Sequence, residues 1–225
     1  MASLAAPLLW LLIFGSGMRT IAVSGAQDYR AFLFPGIIGM TILFTSIASG
    51  VSVIWDREFG FLKEILVAPV SRSSVVLGKA IGGGTIAVIQ GIILLPLSFL
   101  VGVYLPPLTY LMYIPLMIII SVGLVSIGLA IAAFVESMES FHMIMSFAMM
   151  PMFFLSGALF PLTIAPEWLR WVSYINPLTY GVDILRWATF SGWETLIPAH
   201  IEIIILVGFA FIMILICSRL FSIKK

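Results

Sequence analysis

Charge is scarce in this sequence. Lysine, arginine, aspartate and glutamate make up 9% of its 225 residues, where a soluble domain carries about 25%. So few charged side chains cannot cover a water-facing surface, which excludes a soluble globular enzyme and a disordered chain. Cysteine occurs once, at Cys217, so no internal disulfide forms and a disulfide scaffold is excluded. Cys217 follows Leu215 and Ile216, the setting of an inert lipid-facing or packed thiol. The net charge is +1, so neither nucleic acid nor an acidic substrate is indicated. His142 and His200 are the only histidines. Even with Glu139 nearby, they are too few ligands for a zinc site.

Apolar residues are abundant at 62%. A helix needs roughly 20 apolar residues to cross about 30 Å of hydrocarbon. Six candidate spans meet or approach this, over residues 2–18, 31–54, 80–104, 111–135, 143–160 and 199–221. Barrel strands would alternate apolar and polar residues over about ten positions, and these runs do not. The expected fold class is an all-α polytopic membrane protein with six transmembrane helices. A secretory signal is a rival reading of the first run. Residues 8–14 fit its apolar core and Gly15-Ser16-Gly17 its cleavage site, but no basic region precedes them.

The few charges cluster between spans and set orientation. Residues 55–79 hold Arg57, Lys63, Arg72 and Lys79, and the C-terminus holds Arg219, Lys224 and Lys225. The other side keeps Arg19, Arg30, Arg170 and Arg186. The excess predicts a multi-pass protein with both termini and the 55–79 loop in the cytoplasm. The link at 136–141 offers no support, since it has two acids and no base.

Two segments do not span. Residues 58–67 read as a short amphipathic helix with a Leu62, Ile65 and Leu66 stripe, stopped by Pro69. Residues 161–198 read as two short outer helices. Pro166-Glu167 starts the first, Asn176-Pro177 caps and starts the second, and Ser191-Gly192 closes it. Trp168, Trp171, Tyr174, Tyr180, Trp187 and Trp193 fall here, and amphipathic rings favour the membrane interface.

Catalytic and nucleotide motifs fail on inspection. Gly78-Lys79 has Ser73 in place of the first P-loop glycine and Ala80 in place of the Ser/Thr. Close helix packing, helped by Gly78 and Gly82, is the simpler reading of the glycines at 78–84. Ser156-Gly157 has no histidine at matching depth, and Asp28, Asp56 and Asp183 lie outside span centres. Glu202, one turn into the last span, is the one acid inside a span. It is either a functional group or a carboxylate that returns to the interface or pairs with the outer helices. Six methionines between Met138 and Met152 suit either a re-packing ligand surface or flexible packing.

Three segments, taken in order, resemble the membrane subunit of ABC-2-type exporters, the daunorubicin-resistance-like and nodulation-like permeases. They are YRAFLFPGIIGMTILFTSIASG, DREFGFLKEILVAPVSRSSVVLGKAIGG and FFLSGALFPLTIAPEWLRWVSYINPLTYGVDILR. The resemblance runs from about Pro7 to Phe221 and makes residues 1–225 one transmembrane domain. It implies a permease that pairs with a second permease subunit, identical or not, and with two cytoplasmic ATPase subunits that use ATP and Mg. This chain would bind no cofactor itself. The implied coupling helix is Asp56 to Arg72, with Arg57, Glu58, Lys63 and Glu64 in polar contact and Phe59, Phe61, Leu62 and Leu66 packing. A solvated or headgroup-facing role is the alternative for those charges. Residues 166–190 match the outer re-entrant or interfacial helices, which include Pro166, Trp168, Trp171, Asn176, Pro177, Tyr180, Asp183 and Arg186. Gly36, Gly39, Ser46 and Gly50 are candidate dimer-packing positions. Family members carry an amphipathic connector helix before the first span, and only a few residues precede Pro7 here. The implied function is export of an amphipathic drug or lipid-like substrate. A polysaccharide or lipid-linked glycan exporter is the alternative in transport, and a membrane sensor or scaffold the alternative of another class.

Overall fold

The computed structural model describes residues 2–17, 29–60, 71–135 and 137–223. Among them every element is helical and none is a strand. The described residues form nine α-helices: α1 Ala2–Gly17, α2 Tyr29–Ala48, α3 Val51–Glu58, α4 Arg72–Leu94, α5 Pro107–Phe134, α6 Met138–Phe154, α7 Glu167–Ile175, α8 Pro177–Thr189 and α9 Ala199–Ile223. A 3-10 turn at Leu95–Val101 prolongs α4, and another at Leu162–Ile164 precedes α7.

Among the described residues, four stretches are long and apolar enough to cross a membrane: Tyr29–Glu58, Ser73–Phe99, Pro107–Phe134 and Ala199–Phe221. The other two expected spans are shorter. α1 has 16 residues and α6 has 17, about 25 Å each. The sequence window placed α6 too late. Ser137 caps its start by accepting from the Ser140 amide at 3.2 Å, and Gly157 turns the chain out of it at φ +73°. α4 also starts well before residue 80, because Ser71 accepts from the Ser74 amide at 3.1 Å.

α2 and α5 occupy the centre of the bundle. α5 packs on α9, α4, α2 and α8, and α2 packs also on α1, α4, α8 and α6. Large side chains such as Phe32, Phe34, Tyr113 and Phe153 are fully enclosed. α2 and α3 form one rod with a tightened joint. Gly50 N–H donates to Ile47 and Val53 N–H to Gly50, three residues apart, where an α-helix uses four. The joint lies on α5. A methyl at Gly50 would meet the Gly128 carbonyl, and one at Gly128 would meet the Ile47 backbone.

This revises the role expected of four small residues. Gly36, Gly39, Ser46 and Gly50 were candidates for packing against a second subunit, and all four are buried within this chain. Gly36 abuts the Ala158 backbone, Gly39 abuts Val182, and Gly50 abuts Gly128. Small residues do mark close helix approach here, but the neighbours belong to the same chain. The reverse holds for Gly78 and Gly82: among the described residues no neighbouring atom lies within 4 Å of an added methyl at either. The packed glycine there is Gly83, where a methyl would stand 2.5 Å from Ser49 Oγ.

Candidate functional site

Two polar constellations lie at opposite ends of α5. The first surrounds α3. Lys79 of α4 donates to Asp56 at 2.6 Å, an ion pair only partly shielded from water, and to Ser52 Oγ at 3.3 Å. Arg57 reaches the other way. Its guanidinium donates to the Val135 and Ala132 carbonyls at 2.7 and 3.3 Å. The last four carbonyls of a helix have no partner of their own, so Arg57 closes the C-terminal end of α5. Beneath these contacts a separate apolar cluster joins Val53 and Ile54 of α3, Ala80 of α4, Leu129 of α5, Phe141 of α6 and Cys217 of α9. Cys217 is packed, and donates to the Ser126 carbonyl at 3.0 Å.

The expected amphipathic helix at 58–67 is corrected at its start. Glu58 closes α3 rather than opening a new helix, and Gly60 leaves with φ +81°. Phe59 is 75% exposed. Phe61, Leu62, Lys63, Glu64, Ile65, Leu66 and Pro69 lie outside the described residues, as does the side chain of Arg72.

The second constellation is the α7–α8 pair. Both predicted helix starts are present. Pro166 precedes α7, and Asn176 accepts from the Leu178 amide at 3.1 Å with Pro177 in the first turn. The pair is fastened to the end of α6, whose terminal carbonyls again need donors. Asn176 Nδ2 donates to Met152 at 2.6 Å, and Ser173 to Leu155 at 2.6 Å. Arg186 donates to Gly157 at 2.9 Å, Ala158 at 3.0 Å and Phe32 at 3.4 Å. Its guanidinium stands 3.8 Å from the Phe32 ring centroid. Burial lowers the Arg186 pKa to about 10, against the opposing field of Asp183, so it remains a cation at neutral pH. Tyr29 adds a bond to the Leu159 carbonyl at 2.8 Å.

Asp183 fixes the following segment. It accepts from Trp193 Nε1 at 2.9 Å and from the Leu196 amide at 2.7 Å. Glu202 of α9 is fully buried beside Asp183 of the outer helix α8, so it does not return to the interface, and neither of its carboxyl oxygens has a hydrogen-bond partner among the described residues. The start of α5 holds the end of α8: Thr109 donates to the Ala188 carbonyl at 3.0 Å, and the Tyr113 and Thr189 hydroxyls are 2.7 Å apart.

The aromatic residues of 166–193 divide. Trp168 and Trp171 are well exposed and Trp187 partly so, whereas Tyr180 is buried and Trp193 is tied to Asp183. The methionines divide too. Met143 and Met150 face outward, and Met149 is buried. His142, His200 and Glu139 are exposed. Sequence reasoning named Asp183 and Arg186 but missed Tyr29, Tyr113 and Thr109. A hydroxyl in an apolar run carries no signal until its partner carbonyl, far along the chain, is known.

Residues 1–190 match the family described as ABC-2 type transporter. Among curated proteins, the chain is similar to the transport permease ycf38 of Cyanophora paradoxa, with 31% identity over 83% of this chain and 67% of the relative. It is 30% identical, over 71% of its length, to a protein of Escherichia coli strain K12 named as a probable multidrug ABC transporter permease, YbhR. A third relative, the inner membrane transport permease YadH of the same strain, is 26% identical over 94% of this chain and 82% of its own length. The matched part is about two thirds of the ycf38 protein and 44% of YbhR. With a family match across most of its length and relatives named as transport permeases, the chain belongs to the ABC-2 type transporter family.

Proposed function

We propose that the chain is the permease subunit of an ATP-driven exporter. The observation that carries this reading is the family match over residues 1–190, which takes in α3, segment 59–71 and the α7–α8 pair together. The motor is a separate ATPase, two copies of which dock on segment 59–71 and use ATP and Mg. α1 and α6 complete six crossings with the four longer helices, which puts both termini and segment 59–71 in the cytoplasm and the α7–α8 pair on the outer side. A second permease subunit faces the first across the path. The substrate is amphipathic, a drug or a lipid-like molecule, a choice supported by the multidrug name of the YbhR relative. ATP binding draws the ATPases together and rocks the helices between two packed states.

Reconstitution of the chain with its ATPase in lipid vesicles tests this. Amphipathic drugs and lipids are expected to stimulate ATP hydrolysis and to leave the cytoplasmic side. A chain that recruits no ATPase, yet captures a different cytoplasmic protein, would support a sensor or scaffold instead. Stimulation by oligosaccharides alone would make it a glycan exporter.

A further inference from the structure

α5 has 28 residues and is about 42 Å long. It is gripped by side chains at both ends. At its C-terminal end Arg57 binds the Ala132 and Val135 carbonyls. At its N-terminal end Thr109 and Tyr113 bind Ala188 and Thr189, the last residues of α8. We infer that α5 is the rod that carries motion from segment 59–71 to the α7–α8 pair, with Arg57 and Tyr113 as its positioning residues. The inference rests on the reading that an ATPase acts on segment 59–71.

The argument is mechanical. Segment 59–71 leaves α3 and enters α4, and Lys79–Asp56 ties those two helices together. An ion pair that water still reaches adds little to stability, but it fixes geometry. Through it α3 and the start of α4 form one block beyond the Ser49–Gly50 joint. Among the described residues, the block's other contacts with α5 are apolar ones such as those of Val53, Ile54 and Ala80, which permit sliding. A guanidinium on two terminal carbonyls has directional bonds and resists it. Pro115 removes one amide from α5. Tyr113 before it and Met117 after it are both fully buried, so the helix is supported on either side of the gap. At the far end α5 and α8 share two hydrogen bonds. A shift of α5 therefore moves the end of α8, and with it the turn at Ser191, which is exposed.

The test is maleimide labelling of Ser191→Cys in membrane vesicles holding the chain with its ATPase, with and without a non-hydrolysable ATP analogue. Cys217 is buried, and the unsubstituted chain gives the background rate. The analogue is expected to change the labelling rate about fivefold, the lower end of typical coupling between two sites. Arg57→Ala and Tyr113→Phe are each expected to abolish most of that change, while the nucleotide-free rate and ATPase co-purification persist. If Arg57→Ala does not accumulate, Arg57→Lys reports instead, since it keeps the charge but cannot span both carbonyls, and about half of the change is expected to remain. A full nucleotide response in both variants, with the ATPase bound, overturns the rod alone. Failure of the parent chain to bind any ATPase overturns the docking reading and the rod with it. A bound ATPase with no nucleotide response in the parent chain overturns the rod.

Discussion

Two pairs of glycines in this chain should respond oppositely to the same substitution. Gly50 and Gly128 press the α2–α3 joint onto α5. A methyl on Gly50 would lie 2.6 Å from the Gly128 carbonyl carbon, and one on Gly128 would lie 2.9 Å from the Ile47 Cα. Carbon atoms rest at about 3.5–4.0 Å, so the helices must part by about 1 Å. The obstacle is backbone on both sides, which cannot rotate aside. Overpacking of this kind costs about 1–3 kcal/mol, and 2 kcal/mol is about a thirtyfold change in the folded-to-unfolded ratio. Gly78 and Gly82 lie within α4 with no neighbouring atom of the described residues within 4 Å of an added methyl. There alanine only restricts the unfolded chain and favours the helix, by about 0.5–1 kcal/mol each. Unfolding of the purified protein by titration with a denaturing detergent measures both. Gly50→Ala and Gly128→Ala are expected to lower the midpoint, and Gly78→Ala and Gly82→Ala to hold or raise it. Equal midpoints for all four variants would refute the packing argument. Loss of an oligomer on Gly78→Ala, seen by cross-linking, would instead assign that face to a partner helix.

Arg186→Ala strips the donors from three buried carbonyls and is expected to cost about 2–4 kcal/mol, read as lost membrane abundance, with Arg186→Lys recovering only part because one ammonium cannot replace the planar fork. Asn176→Ala removes both the α8 cap and the bond to Met152, at about 1–2 kcal/mol. Asn176→Asp keeps the cap and loses only the donor, so it should fall between, and equal loss in the two variants would discount the cap. Glu202→Gln replaces a carboxyl that faces Asp183 with a neutral amide able to donate to it, so thermal stability in detergent is expected to hold or rise by about 1 kcal/mol. A large loss would show that the acid itself is required. Asp56→Lys with Lys79→Asp reverses the ion pair of α3 and α4, and the double variant is expected to match the parent in the nucleotide-dependent labelling of Ser191→Cys while each single variant falls below it.

The class of the molecule was legible from composition, and so was the start of α8, where Asn176 caps the helix by accepting from an amide two residues on, an interaction that needs no knowledge of the fold. Gly192, which turns the chain after α8 at φ +91°, is of the same kind. Ser71 and Ser137 cap α4 and α6 in the same local way, but hydropathy alone passed over them. The start of α6 was placed late because a hydropathy window follows apolar content, and Glu139 and His142 sit in its first turns. The six expected crossings became four long helices and two short ones for a related reason: a run of apolar residues does not say how many of them are helical.

What the sequence determined, then, is an apolar helical chain with its few charges confined to a small number of segments, because each of those properties depends on residue type or on neighbours within a turn. Which glycine touches which helix was decided by tertiary structure alone. Gly50 and Gly82 look alike in sequence, yet one lies on Gly128 and the other meets no neighbour among the described residues. The same holds for the charges. Arg57 finds the end of α5, and Arg186 the turn at Gly157 and Ala158 that follows α6, because carbonyls are left unpaired where a helix stops or the chain turns, and only the packing of distant segments brings a guanidinium within reach of them.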